Sequence, residues 1–379
     1  MISRGSISGA YPTKRLGDVV EFLDSMRRPV TESDRRAGPY PYYGANGQQG
    51  TIDDFIFDEP LVLLAEDGGH FGTPNRGIAY RISGKTWVNN HAHVLRPKAN
   101  MDLAFLCRLL ENYDVTPFVT GTTRGKLTQA GASEILVPVP PLAEQRRIAE
   151  LLDKADALRA KRRAAVAQLH TLTQSIFLDM FGDPILNMRG WPKKKLSTLG
   201  TVDRGVSKHR PRNAPELLGG PYPFVQTGDV ANCDGSIREF TSTYSEAGLR
   251  QSRIWPAGTL CITIAANIAK TGILMFDACF PDSVVGFRSD DPATIEFVRT
   301  WLSFLQASLE NRAPESAQKN INLEILRGLS VPTPDVELRR HFARRVAVVE
   351  RLKAPHRASL IELNSLFASL QHRAFRGEL

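Results

Sequence analysis

The chain has 379 residues, of which 42% are hydrophobic and 23% are charged, and these fractions are typical of a soluble globular protein. Its 48 lysines and arginines against 40 aspartates and glutamates give a formal net charge of +8, which favours a polyanionic partner such as nucleic acid. The apolar runs are of strand length and the N-terminus has no apolar signal core, so we expect neither a membrane span nor secretion. The four cysteines lie far apart and indicate reduced thiols in a cytoplasmic protein.

Residues 1–141 are predicted to form a mixed α/β globule. Short apolar runs such as Leu61–Ala65 alternate with turn signals such as Asn46-Gly47, and one helix is expected at about residues 103–113. Because no long helical periodicity occurs here, we expect irregular loops between the strands.

Residues 142–186 have a different pattern, in which apolar residues recur every three or four positions. This spacing predicts one long helix over residues 142–181, about 60 Å long at 1.5 Å per residue, with a coiled-coil seam on one face. Arg162 is the one charged residue in this seam. The predicted seam residues are Ile148, Leu151, Ala155, Leu158, Ala165, Leu169, Leu172 and Ile176.

Residues 187–334 return to the mixed pattern, with a helix expected at about residues 295–309, and residues 335–379 form a second long helix. Pro355 lies inside that helix and is expected to kink or break it. We expect the two long helices to bury their apolar stripes against each other as an antiparallel pair; the alternative is that each packs only on its own globule. The stripes of the last helix are Phe342, Val346, Val349 and Leu352, then Leu360, Leu363, Phe367 and Leu370.

Several passages of the first half of the chain recur in the second. Gly-Pro-Tyr-Pro-Tyr at residues 38–42 returns as Gly-Pro-Tyr-Pro-Phe at 220–224, and Val-Pro-Val-Pro at 137–140 returns as Val-Pro-Thr-Pro at 331–334. The period suits a duplicated domain with its helix and is too long for a solenoid repeat. The repeat predicts two related binding events at a fixed separation.

The sequence carries no complete enzyme signature that we recognise. Gly84-Lys85-Thr86 resembles the end of a phosphate-binding loop, but Ala79 occupies the place of its first glycine. Metal-dependent nucleases commonly carry Pro-Asp, followed later by an acidic residue two positions before a lysine. Pro281-Asp282 is present, but no lysine of this chain has an aspartate or glutamate two positions before it. The Asn/Asp-Pro-Pro-aromatic tetrapeptide of amino-methyltransferases is also missing. A single-chain nuclease or methyltransferase remains the first alternative, and a protein scaffold that reads no DNA is the second.

His91 and His93 share one face if they lie on a strand, and they could bind a metal with a third ligand. The simpler interpretation, which we prefer, is that one packs or forms a hydrogen bond while the other meets solvent or a ligand.

Polar loops supply the candidate DNA-binding residues. Lysine among hydroxyls and amides suits phosphate oxygens, whereas asparagine reads adenine, and arginine or lysine reads guanine. The candidates in the first globule are Asn75, Arg76, Asn89, Asn90, His91, Thr123, Arg124 and Lys126, and those in the second are Asn267, Lys270, Thr271, Gln318, Lys319 and Asn320.

Over essentially its whole length the chain resembles the specificity subunit of type I restriction–modification systems. The resemblance rests on Val-Pro-Val-Pro-Pro-Leu-Ala-Glu-Gln-Arg-Arg-Ile at residues 137–148, Ser-Ile-Phe-Leu-Asp-Met-Phe-Gly-Asp-Pro at 175–184 and the closing passage at 369–379. Val-Asn-Asn-His-Ala-His-Val-Leu at 88–95 and Ile-Ala-Ala-Asn-Ile-Ala-Lys-Thr at 264–271 are also similar.

The resemblance implies an α/β (α+β) fold, with two globular target-recognition domains joined by two long helices in an antiparallel coiled coil and related by an internal pseudo-twofold repeat. Each domain, at residues 1–141 and 187–334, would read one half of a split, asymmetric site in double-stranded DNA. The helices, at 142–186 and 335–379, would set the spacer and dock methyltransferase subunits, two in number, which restriction subunits join. The chain itself would be non-catalytic, with S-adenosylmethionine, ATP and Mg²⁺ in the partner subunits.

The second half departs from the family pattern in two places. Asp335-Val336-Glu337-Leu338-Arg339-Arg340 is a weaker version of the passage at residues 141–146, and Pro355 has no counterpart in the first helix. We therefore expect the two helices to differ as docking surfaces for partner subunits. The second globule also has about a dozen extra residues, which favours different half-sites.

Overall fold

The structure is a computed structural model that describes residues 9–73, 76–121, 125–209, 211–265, 268–312 and 321–379. It divides into two compact units, one formed by Met1–Arg163 with Ala358–Leu379 and the other by Ala164–Arg357. Each unit therefore contains one globular domain and one end of each long helix. None of the helices in the described part of the chain is long and apolar enough to cross a membrane.

The first domain consists of short strands and three short helices. Its strands are β1 (Thr13–Arg15), β2 (Val20–Phe22), β3 (Tyr40–Gly44), β4 (Gly47–Ile52), β5 (Phe57–Asp58), β6 (Leu61–Ala65), β7 (Ala79–Ile82), β8 (Lys85–Val88), β9 (Ala92–Pro97), β10 (Val119–Thr120), β11 (Lys126–Leu127) and β12 (Leu136–Pro138). Its helices are α1 (Leu16–Val19), α2 (Leu103–Leu110) and α3 (Gln129–Ser133).

Two four-stranded sheets form the body of this domain, with strand orders β2-β9-β6-β7 and β4-β3-β8-β5. All five residues of β6 are buried, since this strand has a neighbour on each side and packs against α2. Asp102 caps α2 by accepting hydrogen bonds from the backbone of Ala104 and Phe105, which explains where this predicted helix begins. The sheets thereby leave the β3–β4 turn and the β8–β9 junction as neighbouring surface segments.

The second domain repeats this construction. Its strands are β13 (Lys193–Lys195), β14 (Thr201–Arg204), β15 (Leu218–Phe224), β16 (Ser236–Ile237), β17 (Ser242–Tyr244), β18 (Ile254–Trp255), β19 (Leu260–Thr263), β20 (Thr271–Leu274), β21 (Ala278–Cys279), β22 (Val284–Arg288) and β23 (Ser330–Pro332). The helices of this domain are α5 (Leu196–Leu199), α6 (Thr227–Ala231), α7 (Glu246–Arg250), α8 (Pro292–Arg312) and α9 (Leu323–Arg327). The two long helices are α4 (Leu142–Phe181) and α10 (Val336–Arg376).

Strand order confirms the duplication seen in the sequence. The order β14-β22-β19-β20 matches β2-β9-β6-β7, and β17-β15-β21-β18 matches β4-β3-β8-β5. The two-stranded ladders agree residue by residue: Lys14 faces Val137 in the first domain, and Lys194 faces Val331 in the second. Equivalent positions of the two domains can therefore be compared by their place in the sheets.

The first long helix, α4, has the predicted bounds, and the second, α10, spans Val336–Arg376 within the predicted residues 335–379. Both are followed by a glycine in the left-handed region. Gly182 has φ = 76° after α4, and Gly377 has φ = 76° after α10. This conformation favours glycine and ends a helix by bonding back to its last turn. Of the two outcomes expected at Pro355, a kink or a break, the break is wrong, because α10 is one helix from Val336 to Arg376. Ion pairs on both sides of the proline, from Lys353 and Arg357 to Glu350, strengthen the helix there.

The helices pack against each other in antiparallel fashion within each unit. In the first unit, Arg147 donates to the backbone oxygen of Leu379 (3.4 Å) and Arg159 donates to Asn364 (2.8 Å). In the second unit, the rings of Phe181 and Phe342 lie 5.4 Å apart. The predicted antiparallel pairing is thus confirmed, and each helix also joins the core of a globular domain.

Part of the predicted seam is wrong. Leu158, Leu172 and Leu352 are exposed, whereas Leu152 and Phe177 are buried. From residue 156 to residue 172, all of which the structure describes, no side chain of α4 is buried. The apolar stripe is shifted because the ends of α4 pack on the domain cores as well as on α10, which periodicity alone does not reveal.

Candidate nucleic-acid interface

The first domain has a polar cleft of about 500 Å³. It lies where the β3–β4 turn, the loop after β6 and the β8–β9 junction meet, because β3 and β8 pair in parallel with Tyr43 opposite Val88. Its lining residues are Pro29, Val30, Thr31, Arg35, Tyr42, Ala45, Asn46, Gln49, Asp67, Gly68, Asn89, Asn90 and His91. Three predicted site residues, Asn89, Asn90 and His91, are therefore brought together with polar residues that the sequence did not single out.

A pair of side-chain amides forms one wall of the cleft. Asn89 is only 4% exposed; its Oδ1 accepts from the backbone N–H of His91 (2.8 Å), and its Nδ2 donates to Gln49 Oε1 (3.1 Å). Gln49 itself is exposed. A Cβ at Gly44 would lie 2.5 Å from Gln49 Nε2 and 2.8 Å from Asn89 Nδ2, so this position must be glycine for the two amides to lie where they do.

His91 and Asp67 form the opposite part of the cleft. His91 Nδ1 lies 2.7 Å from Asp67 Oδ1. Since a carboxylate can only accept, this contact places the proton on Nδ1 and leaves Nε2 to contact a ligand. Asn46 Nδ2 donates to the backbone oxygen of Gly68 (2.9 Å), which ties the β3–β4 turn to the loop after β6.

Arg35 contributes positive charge to the cleft. Its guanidinium lies over the ring of Tyr42, 3.9 Å from the centroid, and donates to the backbone oxygen of Gln49 (3.3 Å). This cation–π contact holds the guanidinium near the amide pair. No sequence motif identified Arg35, Asn46, Gln49 or Asp67, although the repeated Gly-Pro-Tyr-Pro passage marks the strand that leads into this turn.

His91 and His93, weighed above as a possible metal pair, point to different partners. His93 is 1% exposed, with Nδ1 2.6 Å from Asp24 Oδ2 and Nε2 2.8 Å from the backbone oxygen of Leu127. Both of its ring nitrogens therefore face protein acceptors. This geometry agrees with the simpler interpretation, in which one histidine is packed and hydrogen-bonded and the other reaches the surface cleft.

Asp24, Glu66 and His93 lie close enough together to hold a metal ion. Two protein cations already occupy this cluster: Arg27 lies 2.6 Å from Glu66 and 3.4 Å from Asp24, and Lys126 Nζ lies 3.0 Å from Glu66. Burial favours the neutral acid, but the hydrogen bonds from Arg27 and Lys126 hold the pKa of Glu66 below its usual value. The group thus forms an ion-pair network behind the cleft.

Lys126 is anchored to the same region. It is half-exposed, and the backbone N–H of the next residue, Leu127, donates to the backbone oxygen of Glu66 (2.7 Å). Arg76, another predicted residue, has Nη1 3.3 Å from His70 Nε2. The predicted residues Asn75, Thr123, Arg124, Asn267, Gln318, Lys319 and Asn320 lie outside the described residues.

In the second domain, Lys270 and Thr271 lie at the turn from β19 into β20. The backbone N–H of Lys270 donates to Thr263 Oγ1 (3.1 Å), and Ala269 before it has φ = 58°. A left-handed alanine costs conformational energy and is retained here by the close turn. Lys270 therefore has a fixed backbone at the end of the β19–β20 loop.

The candidate residues of the two domains match in one place of the repeat and differ in another: Arg76 lies between β6 and β7, as Lys270 lies between β19 and β20. Asn89 to His91 lie between β8 and β9, whereas Lys270 and Thr271 follow β19, the counterpart of β6. The place equivalent to Asn89 in the second domain lies between β21 and β22, where Asp282 is ion-paired with Arg212. Equivalent surfaces thus present amides in one domain and an ion pair in the other. Aligning the two halves of the sequence on their repeated Gly-Pro-Tyr-Pro and Val-Pro passages did not reveal this difference.

The architecture defines a protein of two similar α/β domains, each with polar loops at corresponding edges, connected by two long helices. Comparison with protein families gives the same class: the model described as "Type I restriction modification DNA specificity domain" matches twice, at residues 10–168 and 188–356. The chain belongs to this family, as its sequence motifs predicted.

Individual relatives agree with this assignment. The chain is 38% identical over 148 residues to a putative type I restriction enzyme specificity subunit of Haemophilus influenzae, a match covering 39% of this chain and 38% of the relative. It is 25% identical over 288 residues to the EcoBI type I specificity subunit of Escherichia coli, covering 67% and 60%. These matches span less than two thirds of either relative.

The crystal structure of a type I restriction–modification S subunit from M. genitalium has a similar fold. The TM-score is 0.58 at 13% identity, over 97% of this chain and 96% of that one. At this identity the likeness concerns the fold, and it confirms two domains with long helices.

Proposed function

We propose that this chain is the DNA-recognition subunit of a type I restriction–modification complex and that each domain reads one half of a bipartite, asymmetric site. The observation that carries this proposal is the pair of domains with one strand order and different polar groups at equivalent edges. Two such readers on one chain suit two different short sequences in one duplex. The relatives' printed names, as type I restriction enzyme specificity subunits, support the same role.

The chemistry of the cleft suits base reading. Side-chain amides, a histidine nitrogen and an arginine can all form hydrogen bonds to base edges in the major groove. The net charge of +8 supplies attraction to phosphates that is independent of sequence and weakens with salt. Specificity would then come from the cleft and affinity from the wider basic surface.

The long helices suit the role of a spacer. Each has about 40 residues, which corresponds to about 60 Å of helix. Half-sites read from one face of B-DNA recur about every 34 Å. Helices of this length are commensurate with a gap of one to two turns of DNA. Their exposed apolar side chains suit docking of protein partners; these are Leu158, Leu172, Leu352 and Ile361.

In this proposal the partners are two methyltransferase subunits and the restriction subunits, and catalysis is theirs. S-adenosylmethionine, ATP and Mg²⁺ would bind to those subunits.

The protein would act in the cytoplasm, where thiols stay reduced. Cys107, Cys261 and Cys279 are buried free thiols, and burial raises the pKa of Cys107 to about 12.

Selection from a pool of random duplexes tests the proposal, using the full chain with and without methyltransferase subunits. Two short, different motifs at one fixed gap are expected. A single contiguous motif would mean that only one domain reads DNA, and no enrichment in either sample would favour a scaffold. Cleavage or methyl transfer by the chain alone, with DNA, Mg²⁺ and S-adenosylmethionine, would make it an enzyme instead.

A further inference from the structure

We propose that Gln49 contacts a base in the first half-site and that Asn89 is a positioning residue that restricts Gln49 to donating hydrogen bonds. The base it reads is then one with a major-groove acceptor, with guanine as the best match. This inference rests on the proposed function, since it requires that the first domain reads DNA.

The backbone N–H group of His91 can only donate a hydrogen bond. The N–H of His91 donates to the side chain of Asn89 (2.8 Å), so the Asn89 atom at that contact must be the oxygen Oδ1. The other end of the Asn89 amide is therefore the NH₂ group, which can only donate. That group lies 3.1 Å from Gln49, so Gln49 must present its oxygen, Oε1, to Asn89.

This chain of hydrogen bonds leaves Gln49 Nε2 as the polar atom of its amide that is available to a ligand. A free glutamine can pair with adenine by donating to N7 and accepting from the N6 amine. Pairing with adenine needs both ends of the amide turned toward the base, whereas the buried Asn89 holds the oxygen end of Gln49. Guanine, with O6 and N7 as adjacent acceptors, matches a group that only donates; thymine O4 is a second match.

The surroundings of Gln49 fit a side chain held in place for contact. It is exposed and lines the cleft, whereas Asn89 is buried beneath it. Its backbone oxygen accepts from Arg35, and its amide lies over Gly44, where any Cβ would displace it. An amide fixed in this way loses little conformational freedom on binding.

The test is random-duplex selection with the full chain, purified with its methyltransferase subunits. Gln49→Ala first locates the base position, as the one position in the first half-site where preference falls. Gln49→Glu then keeps the oxygen that accepts from Asn89 and replaces the NH₂ group with an acceptor. The preference at the located position is expected to change from guanine or thymine to a base with an exocyclic amine, cytosine or adenine, by about ten-fold or more.

Asn89→Asp provides a second variant that leaves Gln49 untouched. The new carboxylate still accepts from the His91 N–H, but its other oxygen can only accept, so the Gln49 amide must turn and present Nε2 to it. Gln49 then exposes its oxygen. The preference at the located position is expected to change in the same direction as in Gln49→Glu, an outcome that loss of structural support alone would not produce.

Gln48→Glu is the matched control, because Gln48 is adjacent, exposed and donates only to the backbone of Gly50 in the described structure. It adds the same charge and should leave every base preference unchanged. The inference is overturned if Gln49→Ala alters no position, if the located position selects adenine or cytosine in the unmodified protein, or if Gln49→Glu and Asn89→Asp keep the original base. If the unmodified protein enriches no split motif, the proposed function itself fails and this inference fails with it.

Discussion

Gln145 and Arg339 occupy equivalent positions, three residues after the start of α4 and of α10, but they are bonded very differently. Gln145 is fully buried: its Oε1 accepts from the N–H of Asp102 (2.7 Å), and its Nε2 donates to the backbone oxygens of Asn100 (3.0 Å) and Pro140 (2.8 Å). Arg339 is also buried and donates to Thr294 (2.6 Å), but its Nε has no acceptor among the described residues. The passage at residues 335–340 matches the family pattern less well than residues 141–146. The start of α10 is correspondingly less completely hydrogen-bonded than the start of α4.

Replacing Arg339 with Gln should stabilise the second domain. Burial lowers the pKa of Arg339, because removal from water disfavours its charged form. Glutamine occupies the equivalent position of the first domain, and here it removes a buried unpaired N–H, for a gain of about 1 kcal/mol. Urea denaturation measures this gain; Arg340→Gln, at an exposed position, is the control and should change stability little. A loss of stability in Arg339→Gln would show that the Thr294 contact matters more.

Asp234→Asn should destabilise the second unit at neutral pH. Asp234 lies 3.3 Å from His170, 2.5 Å from Arg357 and 3.9 Å from Lys353, which is only 2% exposed. Burial favours the neutral acid, but the hydrogen bonds from His170 and Arg357 outweigh it and hold the pKa of Asp234 well below its usual range. Removing the charge leaves Lys353 with Glu350 alone, at a cost of about 2 kcal/mol.

The pH dependence of this loss has a definite sign. A carboxyl whose pKa is lower in the folded state stabilises the fold above its unfolded pKa, about 3.9, and loses that effect as pH falls toward the folded value. The difference in unfolding free energy between the natural chain and Asp234→Asn should therefore be constant near pH 7 and shrink below about pH 4. Glu337→Gln, at an exposed ion pair, is the control; an equal loss at all pH values would contradict the role of the charge.

Pro355→Ala should stabilise α10. The proline has no N–H to donate to the carbonyl four residues before it, and its ring crowds that carbonyl. Because the helix is unbroken around it, alanine can restore the missing hydrogen bond, for a net gain of about 2 kcal/mol after the greater freedom of the unfolded chain is subtracted. Thermal unfolding measures this, with Ser359→Ala as a control. A lower melting temperature would show that neighbouring contacts depend on the proline.

Lys126→Ala should weaken binding to all DNA sequences alike. Lys126 is half-exposed and shares Glu66 with Arg27, so its ammonium group can reach a phosphate while Glu66 keeps a second partner. The slope of log affinity against log salt should fall by about 1, with base preference unchanged; the same is expected of Lys319→Ala. Lys154→Ala, on the surface of α4, is the control. A changed base preference with an unchanged salt slope would contradict the phosphate assignment.

Inserting one heptad after Ala165, matched by one in α10 after Arg357, should lengthen the gap between half-sites. The central part of α4 has no buried side chain, so the insertion disturbs neither domain core. Random-duplex selection should return both original half-sites with a longer gap. Altered half-sites would refute the role of the helices as a spacer.

The local sequence pattern predicted the bounds of the long helices closely, but it predicted only part of the lining of the first-domain cleft. The spacing of apolar residues alone predicts the helix from Leu142 to Phe181, because helical periodicity depends on residues that are close in sequence. The exposed Leu158 shows the limit of that argument, since the direction of a stripe depends on what packs against it. Asn89 and His91 were found by residue type, whereas Gln49 was missed because nothing near it in sequence marks it as part of a cleft.

The sequence by itself determined the duplication, the two long helices, the basic charge and the family, since each of these is encoded in repeated or periodic residues. Only the tertiary structure decided which polar groups meet and which way they point. Gln49 and Asn89 are forty positions apart, and they touch because β3 pairs with β4, which carries Gln49, and with β8, which leads to Asn89. The register of these pairings is set by the packing of both sheets, and a shift by one residue would turn every side chain on a strand to its opposite face.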